Sequence, residues 1–243
     1  MCGIVGVAQN TPYSNVRWLK LARDTLIHRG PDHAGEWWSE DKRVGLAHRR
    51  LSIIDLSPSG NQPMLLNNQG LSIVFNGEIY NYIYLQNQLK SLGHTFKSKS
   101  DTEVILAAYV EWGHNCLKYL EGMFAFALYD SKLQEVFLAR DRAGEKPLFY
   151  FMNKETLYFA SELKALLSNP SLPRNIDPES FDCYLTMGFI PGERSILSGY
   201  KKLPPAHAIR FNIRNSKIDI WKYWELPEIN TNNININKIK LVN

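Results

Sequence analysis

What most restricts the fold of this chain is a series of apolar runs of strand length that do not alternate regularly with helices. They fall at residues 4–8, 44–47, 51–54, 71–75, 125–129, 136–139, 148–151 and 157–160, most of them bounded by turn residues such as Ser57-Pro58-Ser59-Gly60 and Asn76-Gly77. Helical periodicity appears at residues 16–27, where Leu19, Ala22, Leu26 and Ile27 share a face, and again at residues 82–92 and 102–112. Without a strict strand–helix alternation a doubly wound parallel sheet is disfavoured. The expected class is α+β, with antiparallel sheets packed on helices. At 243 residues and 44% hydrophobic, the chain can bury a sizeable core. After Trp224 the character changes: residues 225–243 read ELPEINTNNININKIKLVN, with six asparagines between Asn230 and Asn243. That composition suits a linker or frayed tail, although the Ile-Asn alternation would also fit a terminal strand.

Several function classes are disfavoured at once. The net charge of +4 arises from 28 basic and 24 acidic residues scattered along the chain, so no phosphate-tracking surface for nucleic acid is implied. No apolar run reaches the roughly 20 residues that cross a bilayer, and no signal peptide is visible, so a cytoplasmic location is expected. Cys2, Cys116 and Cys183 are odd in number and far apart, which suits free thiols in a reducing compartment. Neither they nor the six histidines show a metal-ligand spacing, and no metal is expected. Cys116 and Cys183 sit in apolar, helix-like stretches and read as core.

The polar clusters at the ends of the apolar runs are the places where chemistry would sit. Cys2 opens the run MCGIVGVA and is either a small apolar residue starting a buried strand or a nucleophile awaiting removal of Met1. His28-Arg29-Gly30-Pro31-Asp32 reads as the punctuation of a helix end. In His48-Arg49-Arg50 the arginines are either solvated or held so that one clamps a carboxylate. Asn76-Gly77 is by default a hairpin turn. The same pair can instead form an oxyanion hole, from the Asn amide and an unobstructed Gly N–H. Ser100-Asp101-Thr102-Glu103 is a helix start with Ser100 or Asp101 as cap, and Asp101 could also accept from a ligand ammonium. Together a thiol, an arginine, an Asn-Gly donor pair and an acid can hold an α-amino acid and attack its side-chain amide, as glutamine would require. Once Met1 is removed, the α-amine of Cys2, with a pKa of about 7.7–8.0, could take the thiol's proton without any histidine.

In this order the stretches MCGIVG, HRGPD, HRRLSIIDLS, QPM, FNGEIYN, SDTEVIL, EGMFAFALYD, ARDRAGEKPLFY and FASELKAL resemble the glutaminase domain of the glutamine-hydrolysing asparagine synthetases, which are class II glutamine amidotransferases of the N-terminal nucleophile hydrolase type. The resemblance is densest over residues 1–166 and continues through GFIPGERSILSGYKKLPPAHAIRF to Trp224, giving an expected domain at 1–224 followed by the tail. It implies a four-layer αββα sandwich of two antiparallel sheets. It also implies that Cys2 is the nucleophile forming a glutamyl thioester, that Asn76 and Gly77 form the oxyanion hole, and that Arg50 binds the α-carboxylate. Glu78 and Asp101 would hold the α-amino group, and the backbone at Ile53 and Ile54 would line the pocket. His48, Arg49 and the HRGPD loop are implied supports.

Complete synthetases of the family continue into an ATP pyrophosphatase domain with an SGG-x-DS loop, which is absent here. Gly144-Glu145-Lys146-Pro147 is too short to serve as a Walker loop. No cofactor is therefore expected for the glutaminase reaction, with ATP and Mg belonging to a synthetase domain that this sequence does not carry. The expected substrate is L-glutamine, with release of ammonia to a synthetase domain or subunit in trans. Two other functions stay open at the level of sequence: a truncated, noncatalytic remnant that binds glutamine or a partner, and a glutaminase whose ammonia amidates an acceptor other than aspartate.

Overall fold

The computed structural model describes residues 1–227. The described chain begins with strand β1 (Gly3–Gln9), helix α1 (Val16–Asp24) and strands β2 (His33–Trp38), β3 (Val44–Arg50), β4 (Met64–Leu66) and β5 (Leu71–Ile79). Helices α2 (Tyr82–Ser91) and α3 (Asp101–Trp112) follow, then β6 (Gly122–Asp130), β7 (Glu135–Arg140), β8 (Phe149–Asn153) and β9 (Thr156–Ala160). Helices α4 (Leu163–Leu167) and α5 (Pro178–Met187) precede β10 (Tyr200–Lys202), β11 (His207–Asn212) and β12 (Lys217–Lys222). The strands form two six-stranded antiparallel sheets, ordered β10-β8-β9-β1-β3-β2 and β12-β11-β7-β6-β5-β4.

The four layers follow from which faces are apolar. In β1, side chains alternate in direction but both faces are covered, so the strand reads as one continuous apolar run. Ile4 and Ala8 point to the middle layer, where they meet Val74, Ala125, Ala127 and Leu138 of the second sheet. Val5 and Val7 point outward onto Trp18, Leu19, Ala22 and Leu26 of α1 and its C-terminal turn. On the far side Ile73, Phe75, Phe124 and Phe126 pack against Leu85 and Leu89 of α2 and Val104, Ile105 and Ala108 of α3. A Cβ at Gly6 would lie 2.2 Å from the Phe159 ring, so glycine there lets an aromatic cross the strand.

The α+β class and the two-sheet sandwich agree with the sequence reading, whereas several details are corrected. Residues 51–54 are not a strand: β3 ends at Arg50, and Ile53 is 65% exposed. The Leu51 N–H there faces the Cys2 sulfur and the Ser52 N–H donates to Asp32 Oδ2, so neither enters a ladder. Asn76-Gly77 is not a turn but lies inside β5, paired with Ala125 and Phe124 of β6. Arg49 and Arg50 are buried rather than solvated. Ile27 is exposed, because α1 ends at Asp24 and the chain leaves the helical phase. Cys116 is buried as expected, but Cys183 is partly exposed, since Ser180 is the buried residue of α5. The Asn-rich stretch lies outside the described residues from position 228 onward.

Candidate active site

Cys2 stands one residue ahead of β1 and shares a cavity with residues of β5 in the second sheet. Its carbonyl accepts from Arg29 Nε at 2.8 Å, and Arg29 Nη1 is paired with Glu162 Oε1 at 2.9 Å, where His28 Nε2 also sits at 3.0 Å. The HRGPD loop thus ties the start of β1 to the start of α4. The sulfur lies 3.4 Å from the Leu51 N–H, which donates to it, and 3.7 Å from the Leu51 carbonyl. Burial pushes the Cys2 thiol above its ordinary pKa, against the opposing pull of the Leu51 contact, the chain's N-terminal charge and Arg50.

The facing edge of β5 supplies donors. Asn76 is 1% exposed, yet neither its Nδ2 nor its Oδ1 has a hydrogen-bond partner. An unsatisfied buried amide is costly, and such a group calls for a reason. The amides of Phe75 and Ile79 turn away from β6 and are taken by Gln62 Oε1 at 2.6 Å and Asp101 Oδ2 at 3.0 Å. Antiparallel alternation turns the Gly77 N–H the same way, between those two. Gly77 is also required by packing, since a Cβ would lie 2.2 Å from the Met123 carbonyl on β6.

Ser100 caps α3 through Oγ, which accepts from the Thr102 N–H at 3.2 Å, so Asp101 is the first helical residue rather than the cap. Its carboxyl, 4% exposed, is pushed up to about 6, chiefly by burial and further by the charge of Glu78, against the hydrogen bonds from the Ile79 and Thr102 amides. Arg50 Nη1 donates to the Ser57 carbonyl at 2.9 Å and to Asn61 Oδ1 at 2.8 Å, and Nη2 donates to the Asp55 carbonyl. The guanidinium therefore anchors the loop after β3, while keeping donors beyond those three for a ligand. His48, fully buried on β3, bridges the sheets: Nε2 is 3.0 Å from the Phe75 carbonyl, and burial pushes the imidazole down to about 3, aided by Arg50 and His33 and opposed by that hydrogen bond. Nε2 of the neutral ring is then the donor.

A cavity of about 100 Å³ joins these groups. Cys2, Arg50, Ile53 and Ile54 line it from the first sheet and its loop, and Asn76, Gly77, Glu78 and Asp101 from the other side. All eight residues named from the sequence thus share one cavity. Gln62, Thr102 and Lys146 also line it and were not named as site residues. Gln62 lies in the quoted QPM, but its amide bonding to β5 leaves no periodic signature. Lys146 lies in GEKP, a stretch whose sequence carries no site signal. Among the described residues no group of His, Cys, Asp and Glu is placed to hold a metal ion, and no helix is long and apolar enough to cross a membrane.

A family profile described as "Glutamine amidotransferase domain" matches residues 1–224. The chain is 37% identical over 232 residues to "Asparagine synthetase [glutamine-hydrolyzing] 3" of Bacillus subtilis (strain 168), covering 93% of this chain and 37% of that protein. It is 35% identical over 241 residues to "Amidase chry2" of Gibberella zeae, covering 93% of this chain and 34% of that protein. The chain therefore spans about a third of the length of these curated relatives. Among solved structures it superposes on a glutamine phosphoribosylpyrophosphate amidotransferase from B. subtilis with a TM-score of 0.64 at 20% identity, covering 93% of this chain and 50% of that one, a likeness of fold.

Proposed function

The chain belongs to the class II glutamine amidotransferases, as a glutamine-hydrolysing domain homologous to the asparagine synthetases, and from that premise we propose that it cleaves L-glutamine at Cys2. The observation that carries this reading is the buried Asn76 amide, unpartnered in a cavity shared with the Cys2 thiol. After loss of Met1, the free amine of Cys2 takes the thiol proton and the sulfur attacks the glutamine side-chain carbonyl. Asn76 Nδ2 and the Gly77 N–H donate to the oxyanion, which gives Asn76 Nδ2 an acceptor. Collapse breaks the C–N bond, the ammonium of Cys2 returns its proton to the leaving nitrogen, and ammonia departs. Water, deprotonated by the same amine, then attacks the thioester, releasing glutamate and restoring the thiol. Glu78 and Asp101 hold the substrate ammonium. The donors Arg50 has left over hold its carboxylate, with the Ile53–Ile54 backbone closing the pocket.

The reaction as proposed draws on no cofactor. A nucleophilic thiol must stay reduced, and three free cysteines suit a cytoplasmic setting. The ammonia would pass to an ATP-dependent synthetase domain or subunit for amidation of aspartate. A second acceptor is favoured by one observation: an amidase and an asparagine synthetase resemble this chain to nearly the same degree, 35% and 37%. The residues around the cavity hold glutamine and do not select what is amidated. The test is glutamate release from glutamine by protein whose Met1 has been removed, verified by intact mass. Activity is expected and is expected to vanish in Cys2→Ala; equal activity in that variant, or none in the processed protein, overturns the reading.

A further inference from the structure

Lys146 lines the catalytic cavity, yet the reaction above gives it no task. The residue is 6% exposed and its backbone is clamped on both sides: the N–H donates to Asp141 Oδ2 at 3.0 Å and the carbonyl accepts from Arg140 Nε at 2.7 Å. Asp141, fully buried, also accepts from the amides of Phe124, Ala143 and Glu145, so its carboxylate is committed to backbone and leaves the lysine ammonium alone. Lys146 Nζ sits 3.6 Å from Met1 Sδ, a weak acceptor, and among the described residues it has no carboxylate within ion-pair distance. Burying an ammonium without a counter-ion is expensive. Such a cation is placed where its field acts on something.

The neighbouring groups narrow what that is. Across the same thioether, 3.8 Å from Met1 Sδ, is Arg29 Nη2, but Arg29 is neutralised by Glu162, which His28 and Lys164 also contact. From β3 Arg50 faces Cys2, from β5 Glu78 lines the cavity, and from α3 Asp101 does. The last two are the acids assigned to the substrate ammonium, and both would raise the proton affinity of an amine beside them. Removing Met1 takes away the thioether and bares an amine at Cys2, in the cavity that Lys146 also lines.

We infer that Lys146 is a positioning residue whose ammonium offsets Glu78 and Asp101 at the N-terminus, holding the Cys2 amine and thiol at lower proton affinity so that the base is free near neutral pH. Its catalytic consequence rests on the glutaminase reading; its effect on the thiol does not. The test compares processed wild type with Lys146→Met and Lys146→Arg, reading the pH dependence of Cys2 alkylation by iodoacetamide from the mass of the N-terminal peptide. In Lys146→Met the midpoint is expected to rise by about one pH unit, as loss of a nearby cation requires, and in Lys146→Arg to stay. The acid limb of kcat/KM for glutamine should move with it. If Lys146→Met fails to fold, Lys146→Gln makes the same comparison. An unmoved midpoint in a neutral variant that melts like wild type overturns the inference. So does a raised KM with an unmoved midpoint, which would make Lys146 a substrate ligand. A shifted midpoint in protein that does not hydrolyse glutamine leaves the inference standing and removes the functional reading instead.

Discussion

At the scale of single residues, Asn76 and Asp101 separate binding from chemistry. If the unpartnered Asn76 amide waits for an oxyanion, its loss is felt in the transition state and not in the ground state. Asn76→Ala is therefore expected to lower kcat by about 10²–10³ with little change in KM, by steady-state glutamate release. A comparable rise in KM at constant kcat would make Asn76 a binding group. Asp101 should behave the other way. Its carboxyl, pushed up to about 6 by burial, loses its charge as pH falls through that value. The KM for glutamine should then climb below about pH 6, and in Asp101→Asn it should be high throughout and lose that dependence. A KM that is flat from pH 7 to 5 in wild type would release Asp101 from holding the ammonium. Both residues were legible in the sequence as polar groups at the ends of apolar runs. Lys146 was not, because a lysine between Glu145 and Pro147 carries no periodic or spacing signal, and its burial is a tertiary fact.

At the scale of elements, β5 carries two demands on one residue. Gly77 offers an open N–H to the cavity and, on the other side, lets β6 approach so closely that a Cβ would meet the Met123 carbonyl at 2.2 Å. Gly77→Ala should consequently destabilise the β5–β6 pair by about 1–3 kcal/mol, the usual cost of overpacking, read as a lowered urea midpoint. An unchanged midpoint would mean that the strands can part at no cost. This double use explains where sequence reading failed. Asn-Gly is the strongest short signal for a hairpin, and local chemistry gave no reason to expect it to be drawn straight through a nine-residue strand. Strands buried on both faces, such as β1 and β6, were legible as continuous apolar runs. β2, with the half-buried pattern HAGEWW, and β4, three residues long, were not. Residues 51–54 look like a strand by composition, yet their backbone is held by Cys2 and Asp32 at the site. Helix α5, whose N-cap Asp177 accepts from the Ser180 N–H at 2.8 Å and is followed by Pro178, lacks the buried stripe that periodicity detects.

At the scale of the whole molecule, two buried groups that each bond to the backbone of β5 pull stability in opposite directions with pH. His48 joins β3 to β5 as a neutral imidazole held at about 3, against an ordinary value of 6.5. Its folded-state value is depressed, so between those limits the unfolded chain binds the extra proton. The stability His48 contributes is complete above about pH 6.5 and is lost as pH falls towards 3. Asp101 is the mirror case, raised to about 6 from 3.8. Its contribution is complete below about pH 3.8 and is lost as pH rises through 6, because there the folded chain binds the extra proton. Over the shared window, pH 4 to 6, the two slopes oppose each other, each at most about 1.4 kcal/mol per pH unit. Wild type should therefore show a shallow dependence of unfolding free energy on pH in that window. Asp101→Asn should unmask the histidine, with stability falling steeply from pH 6 to 4. His48→Gln, which keeps an N–H for the Phe75 carbonyl, should reverse the slope, so that stability rises as pH falls. Urea titrations at pH 4, 5 and 6 on the three proteins decide it. If neither variant changes the slope, the two groups do not hold different protons in the folded and unfolded chains, and the electrostatic account of these two contacts to β5 fails with them.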